Sequence, residues 1–357
     1  MSGLSNARVI VAGGGALGSS IALSLAQAGA RVVLADPVDA MTSASGVAAG
    51  MLAPALESVL DPEAGLPFDL LRAARDLWPA FAARLGGVDI GLKRAGALWL
   101  DLPGAPPRAP AIVADLARIG AVTAEPPAAT FLTIARDRRV FTPEDWRLDP
   151  GATLRALSQA FRAAGGEIVR ARLEGFEDGC AWLSDGSRRT VDRLVVATGA
   201  QGAELAPELG ALIPIKGHIL KYPALCPPAG AATIRCADGY ATGGADGLCV
   251  GATMERGRAD LAIDPAIVAR LHALAERLYP QAGALTPVAL AGVRAASRDG
   301  PPVVSPSARA GVLVAAGARR NGWLLAPLVA QIVTAYLMQR DPGPYGALFR
   351  PRAPAQV

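Results

Sequence analysis

Gly13, Gly15 and Gly18, followed by Asp36, have the types and spacing to hold a dinucleotide. Gly13 would permit a tight turn, Gly15 would let backbone approach a pyrophosphate, and Gly18 would let a helix pack closely on a strand. Backbone N–H groups of Ala16 and Leu17 at the helix start would then meet the anion, and Asp36 would accept hydrogen bonds from an adenosine ribose. FAD and NAD share this fingerprint. A second apolar run ends in Thr198-Gly199, which suits another close backbone approach to the same dinucleotide, although any strand can end in Thr-Gly.

The elements that must position these residues follow from periodicity. Arg8–Ala12 reads as a buried strand, 19–28 as a helix ended by Gly29, and Arg31–Ala35 as the strand that delivers Asp36, which together form a βαβ unit. Further helices are expected over 67–85, 111–119, 154–164 and 264–278, with a proline-rich loop at 103–110 and another irregular stretch opening at Pro126-Pro127. Short strands are expected at 95–100, 168–172, 181–183, 193–197, 217–222, 239–242, 248–252 and 311–315, before a long apolar helix from Trp323. No internal repeat is visible.

At 357 residues the chain has room for two domains, or one large domain with an inserted lobe. Its 52% hydrophobic and 18% charged residues exclude intrinsic disorder, collagen and coiled coil. Thirty-five Lys plus Arg against 31 Asp plus Glu gives a net charge of +4. The basic clusters at 136–139 and 188–189 are interrupted by or near acids and lack aromatic neighbours, so they read as solvated faces, with no nucleic-acid partner. Cys180, Cys226, Cys236 and Cys249 show no Cys-x-x-Cys spacing, and His218 and His272 are the only histidines, so buried reduced thiols and no metal are expected. The apolar run 323–338 falls short of the roughly 20 residues that span a bilayer. With no signal-peptide pattern at the start, a cytoplasmic location is expected; a homo-oligomer is left open.

Three segments carry a resemblance: 45–57 (SGVAAGMLAPALE), 251–254 (GATM) and 320–327 (RNGWLLAP). Together they resemble the glycine oxidase branch of the FAD-dependent D-amino-acid oxidase family, with similarity distributed over nearly the whole chain. The resemblance implies FAD as cofactor and an α/β (α+β overall) architecture. A Rossmann-like FAD-binding domain would comprise 1–85, 147–210 and 290–350, and a substrate-binding or cap domain with an antiparallel sheet would comprise 86–146 and 211–289. It further implies oxidative deamination of glycine or another small amino or imino acid. Hydride would leave Cα for flavin N5, an imine would form, and O2 would be the acceptor, with the imine feeding thiamine biosynthesis if glycine is the substrate. Alternatives are a D-amino-acid or D-proline-type dehydrogenase serving a quinone or carrier, and a flavin-binding protein without catalysis.

Residue by residue, the resemblance makes Arg294 the clamp on the substrate carboxylate and Tyr240 a hydroxyl reaching the same group. Met254 would line the pocket, and Arg320 would stand beside flavin or substrate. A bidentate guanidinium suits the clamp. Ser45, Ala49, Gly50, Met51, Asn321, Gly322, Trp323 and Leu324 would complete the flavin site. Backbone N–H groups at the start of the last helix would stabilise negative charge developing on the reduced flavin. The sequence departs from the family pattern at Ala241-Thr242-Gly243-Gly244, at Ala295, at His218 where Gln is usual, at Gln201-Gly202, and at Ala318-Arg319. These departures leave the substrate open.

Overall fold

The computed structural model describes residues 4–127, 135–228 and 230–351, so most of the stretch after Pro126-Pro127 lies outside the described residues. A six-stranded sheet runs in the order Val303–Pro306, Val312–Ala316, Arg193–Val196, Arg8–Ala12, Arg31–Ala35, Glu167–Val169. All neighbours pair in parallel except the Val303–Pro306 edge. The strands are continuously apolar because both faces are covered. Along Arg8–Ala12, Val9 and Val11 face one core with the helices Ala16–Gln27, Pro150–Ala163 and Gly322–Leu337. Ile10 and Ala12 face a second core, closed by the three-stranded sheet Leu173–Glu177, Cys180–Leu183, Arg188–Thr190.

A second, eight-stranded sheet is antiparallel except where Thr233–Cys236 pairs in parallel with Ala97–Leu100. Its core lies under the helix Pro265–Leu278. Ile213–Tyr222 pairs along its length with Val288–Ala296, a strand that periodicity did not reveal. Residues 290–296, placed with the flavin-binding half from sequence, therefore belong to this sheet. The pairing bond is long-range, and Gly292 interrupts the local pattern.

Other departures have local causes. The helix expected over 67–85 is two helices, Phe68–Asp76 and Trp78–Ala83, because Pro79 cannot continue the first and instead sits in the opening turn of the second. The helix expected from 154 starts at Pro150, where the Asp149 side chain accepts the Ala152 N–H at 2.7 Å. The helix expected over 111–119 is Ala109–Arg118, so it takes in the end of the proline-rich loop. The strand expected over 168–172 is Glu167–Val169. Of the four free cysteines only Cys236 and Cys249 are buried; Cys226 is exposed.

Gly322–Leu337 carries Pro327 inside the helix, which leaves the Trp323 carbonyl without its i+4 donor. The buried Trp78 indole fills that role, with Nε1 donating to Trp323 O at 3.0 Å. Trp78→Phe keeps most of the ring volume but orphans the carbonyl, and an equilibrium unfolding curve is expected to show a loss of about 1–3 kcal/mol. An unchanged curve would mean that the helix needs no substitute donor.

Candidate active site

The glycine turn is fixed by contacts that admit no side chain. Gly13 has φ +100°, and a Cβ there would lie 2.3 Å from Ala197 O, just before Thr198-Gly199; a Cβ on Gly18 would lie 1.8 Å from Gly13 O. The turn is therefore pressed between its own helix and the end of Arg193–Val196. Asp36 Oδ2 accepts the Gly14 N–H at 2.6 Å and Oδ1 accepts the Val38 N–H at 2.9 Å, tying the second strand to the turn. Ser45 Oγ accepts the Ala16 N–H at 2.9 Å. Gly13, Gly15, Ala16, Leu17, Gly18, Asp36, Ser45, Thr198 and Gly199 are thus gathered at the carboxyl ends of the central parallel strands, the usual crevice for ligands in such sheets.

The remaining candidates converge on a cavity of about 280 Å³ between the antiparallel sheet, the segment 44–51 and the start of the last helix. Its wall includes Ala49, Gly50 and Met51 on one side, Tyr240, Met254 and Arg294 on the other, and Arg320 with Trp323 at the start of the last helix. Trp323 Nε1 donates to Ser45 O at 3.0 Å, joining this wall to the glycine turn. Asn321 N-caps the helix and is buried, and Leu324 lies in the core behind it.

Arg294 reaches the cavity because Gly217, two residues along the paired strand from its register partner Ile215, has no side chain: a Cβ there would lie 2.3 Å from Arg294 Nη1. Nη1 donates to Thr253 O at 3.2 Å and lies 3.5 Å from Met254 Sδ. Among the described residues no carboxylate lies within 4 Å of this guanidinium. Burial lowers its pKa from the ordinary value, partly offset by Tyr240 and Glu57, yet a guanidinium stays protonated. Tyr240 is buried, and burial first, then Cys249, pushes its hydroxyl well above the ordinary value, so it remains a donor. No protein hydrogen bond to that hydroxyl is found among the described residues.

Glu57 and Arg235, neither singled out by motif or spacing, form a buried charge centre. Glu57 Oε1 accepts from Arg235 Nη1 and Arg320 Nη2, both at 2.9 Å. Burial by itself would raise the Glu57 carboxyl, but Arg320, Arg235 and Arg294 together hold it below its ordinary value. Its helix, Pro54–Leu60, is capped by Asp145, which accepts the Ala55 and Leu56 N–H groups at 2.8 and 3.3 Å and which burial pushes up to about 7. An arginine inside the otherwise apolar Thr233–Cys236 strand was the available signal. His218, by contrast, points away from the cavity: Nδ1 lies 2.8 Å from Glu255 Oε1, and Nε2 accepts the Asp264 N–H at 3.1 Å.

Among the described residues no helix is long and apolar enough to cross a membrane. Comparison with known proteins bears on what the site holds. The chain is 27% identical to the glycine oxidase of Pseudomonas aeruginosa, covering 95% of this chain and 98% of that one. It is 32% identical to a tRNA 5-methylaminomethyl-2-thiouridine biosynthesis bifunctional protein, MnmC, of Caulobacter vibrioides, covering 92% of this chain but only 54% of that protein. The chain thus spans about half the length of that relative. The fold matches the crystal structure of glycine oxidase from Geobacillus kaustophilus with a TM-score of 0.79 over 97% of this chain and 98% of that one, at 24% identity. The model of the family described as FAD dependent oxidoreductase matches residues 8–336, and the chain belongs to that family: it is an FAD-dependent oxidoreductase of the glycine-oxidase type.

Proposed function

We propose that the chain oxidises glycine or another small amino or imino acid, held by its carboxylate on Arg294. The observation that carries this reading is an uncompensated guanidinium, beside the unbonded hydroxyl of Tyr240, in the wall of one cavity. A desolvated charge without a counter-ion is unfavourable, so an anionic ligand is the natural partner.

The frame fits FAD. Gly15 and Leu17 keep backbone N–H groups without a protein acceptor among the described residues, and a Cβ on Gly199 or Gly322 would meet nothing within 4 Å, so backbone is open to approach there. Gly13, Gly15, Ala16, Leu17, Gly18, Asp36, Ser45, Thr198 and Gly199 would hold the dinucleotide end. Ala49, Gly50, Met51, Asn321, Gly322, Trp323 and Leu324 would frame the ring system. When bound, FAD supplies the hydride acceptor.

The chain's own residues orient the reaction. Arg294 and the Tyr240 hydroxyl fix the substrate carboxylate, which aims the Cα–H bond across the cavity. Met254 covers the mouth side, with its sulfur against Arg294. Arg320, anchored on Glu57, would keep positive charge in the cavity wall, where it would offset negative charge on a reduced flavin. The substrate would lose hydride from Cα while its nitrogen lone pair forms the C=N bond and one N–H proton leaves, giving an imine; that one electron pair would pass in the end to O2, with two protons, as peroxide. If glycine is the substrate, that imine would serve thiamine biosynthesis.

The test is an absorbance spectrum of the purified holoenzyme during anaerobic addition of glycine, sarcosine, D-alanine and D-proline. Flavin bands at about 375 and 450 nm are expected to bleach with at least one of them. Peroxide formed on readmitting air marks O2 as acceptor, and dye reduction without peroxide marks a carrier instead. Bands that no amino or imino acid bleaches would remove the assignment.

A further inference from the structure

Resting on that reading of Arg294, we propose that Arg108 is a second anion clamp, and that the preferred substrate is an amino or imino acid with a second carboxylate. Arg108 lies in the proline-rich connection far in sequence from every other residue of the site, yet it lines the same cavity as Arg294.

Its placement is built rather than incidental. Asp101 is buried, and its Oδ2 accepts the Arg108 and Ala109 N–H groups at 2.9 and 2.8 Å, while Oδ1 accepts Trp99 Nε1 at 2.9 Å. Burial would raise the Asp101 carboxyl, but these hydrogen bonds hold it below its ordinary value. The carboxylate therefore fixes the backbone of Arg108 and the orientation of Trp99 at once. The Arg108 guanidinium lies over the Trp99 ring, 5.2 Å from its centroid, a stacking contact that steadies a cation while leaving its N–H edge free. Among the described residues no carboxylate lies within 4 Å of it.

The charges of the cavity wall point the same way. Arg235 and Arg320 share one carboxylate, Glu57, and Asp238, the acid on the wall, is taken by Arg277 at 3.1 Å. Among the described residues Arg294 and Arg108 are left as two guanidiniums with no carboxylate within 4 Å, one on the strand Val288–Ala296 and one exposed at the rim. A substrate with one carboxylate satisfies the first; a substrate with two satisfies both. Each charge-assisted hydrogen bond is strong enough to discriminate substrates about ten- to a hundredfold.

The experiment compares kcat/KM of the holoenzyme for D-aspartate, D-glutamate and iminodiacetate with that for glycine and D-alanine, in wild type and in Arg108→Gln. Wild type is expected to favour at least one dicarboxylate by about tenfold or more, and the variant to lower the ratio of dicarboxylate to monocarboxylate kcat/KM by about ten- to a hundredfold. Arg108→Lys, which keeps charge but not the fork, should fall between. A wild-type enzyme that oxidises glycine or D-alanine with no preference for a second carboxylate overturns the proposal without any variant, as does an unchanged ratio in Arg108→Gln. An enzyme whose flavin no amino or imino acid reduces fails earlier, at the reading of Arg294 itself.

Discussion

Arg294→Ala is expected to raise KM for the amino-acid substrate by one to three orders of magnitude while the protein retains its flavin spectrum. The magnitude follows from truncating one partner of a desolvated, hydrogen-bonded charge pair, which costs about 2–5 kcal/mol. The separation of effects follows from geometry. Arg294 stands on the second sheet and touches Thr253 O and Met254, whereas the glycine turn that would hold the dinucleotide is built from Gly13 to Ser19, Asp36 and Ser45. Since no carboxylate among the described residues lies within 4 Å of Arg294, and Glu57 keeps Arg235 and Arg320, removing Arg294 leaves no buried acid unpaired, and the variant should not unfold at lower temperature than wild type. Steady-state kinetics with a flavin spectrum decide the matter: an unchanged KM removes Arg294 from the site, and loss of both flavin and fold would make it a structural residue.

Glu57→Leu is expected to act in the opposite manner, on stability first. The substitution leaves Arg235, buried, and Arg320, three-quarters buried, facing each other without a carboxylate. Breaking a buried ion pair by removing one partner costs about 3–5 kcal/mol because the surviving charge is uncompensated. The pH dependence has a definite sign. Glu57 has its carboxyl held below the ordinary value of 4.5 in the folded chain, so its contribution is present above that pH and disappears as acid protonates the folded carboxylate. Wild type should thus lose stability on acidification more steeply than the variant, which lacks that ionisation. Unfolding midpoints measured at neutral pH and down through the carboxylate range to about pH 2 check both claims, and equal midpoints at neutral pH would show that the two arginines need no carboxylate.

Both variants act through residues whose partners are distant in the chain, and this marks the limit of what could be read in advance. The opening βαβ unit was legible because its determinants are local. Two five-residue strands, each an arginine followed by four apolar residues, were bounded correctly at Arg8–Ala12 and Arg31–Ala35, and glycines stood where a side chain would collide with backbone. The apolar helix from Gly322 was legible for the same reason, since burial on all sides needs only a continuous apolar run. The family resemblance, carried over residue by residue, added Tyr240, Met254, Arg294 and Arg320, and all four line one cavity.

What the sequence determined by itself was therefore the family, the cofactor and the local framework that repeats in a few residues. The tertiary structure alone decided the electrostatics. Glu57 meets Arg235 across 178 positions and Arg320 across 263, Trp78 finds the carbonyl freed by Pro327 across 245, and Arg294 gains its place only through the pairing of Val288–Ala296 with Ile213–Tyr222. No periodicity encodes such meetings, because a charge pair leaves no local signature. Its energy arises from desolvation, which exists only once the folded chain has buried the pair.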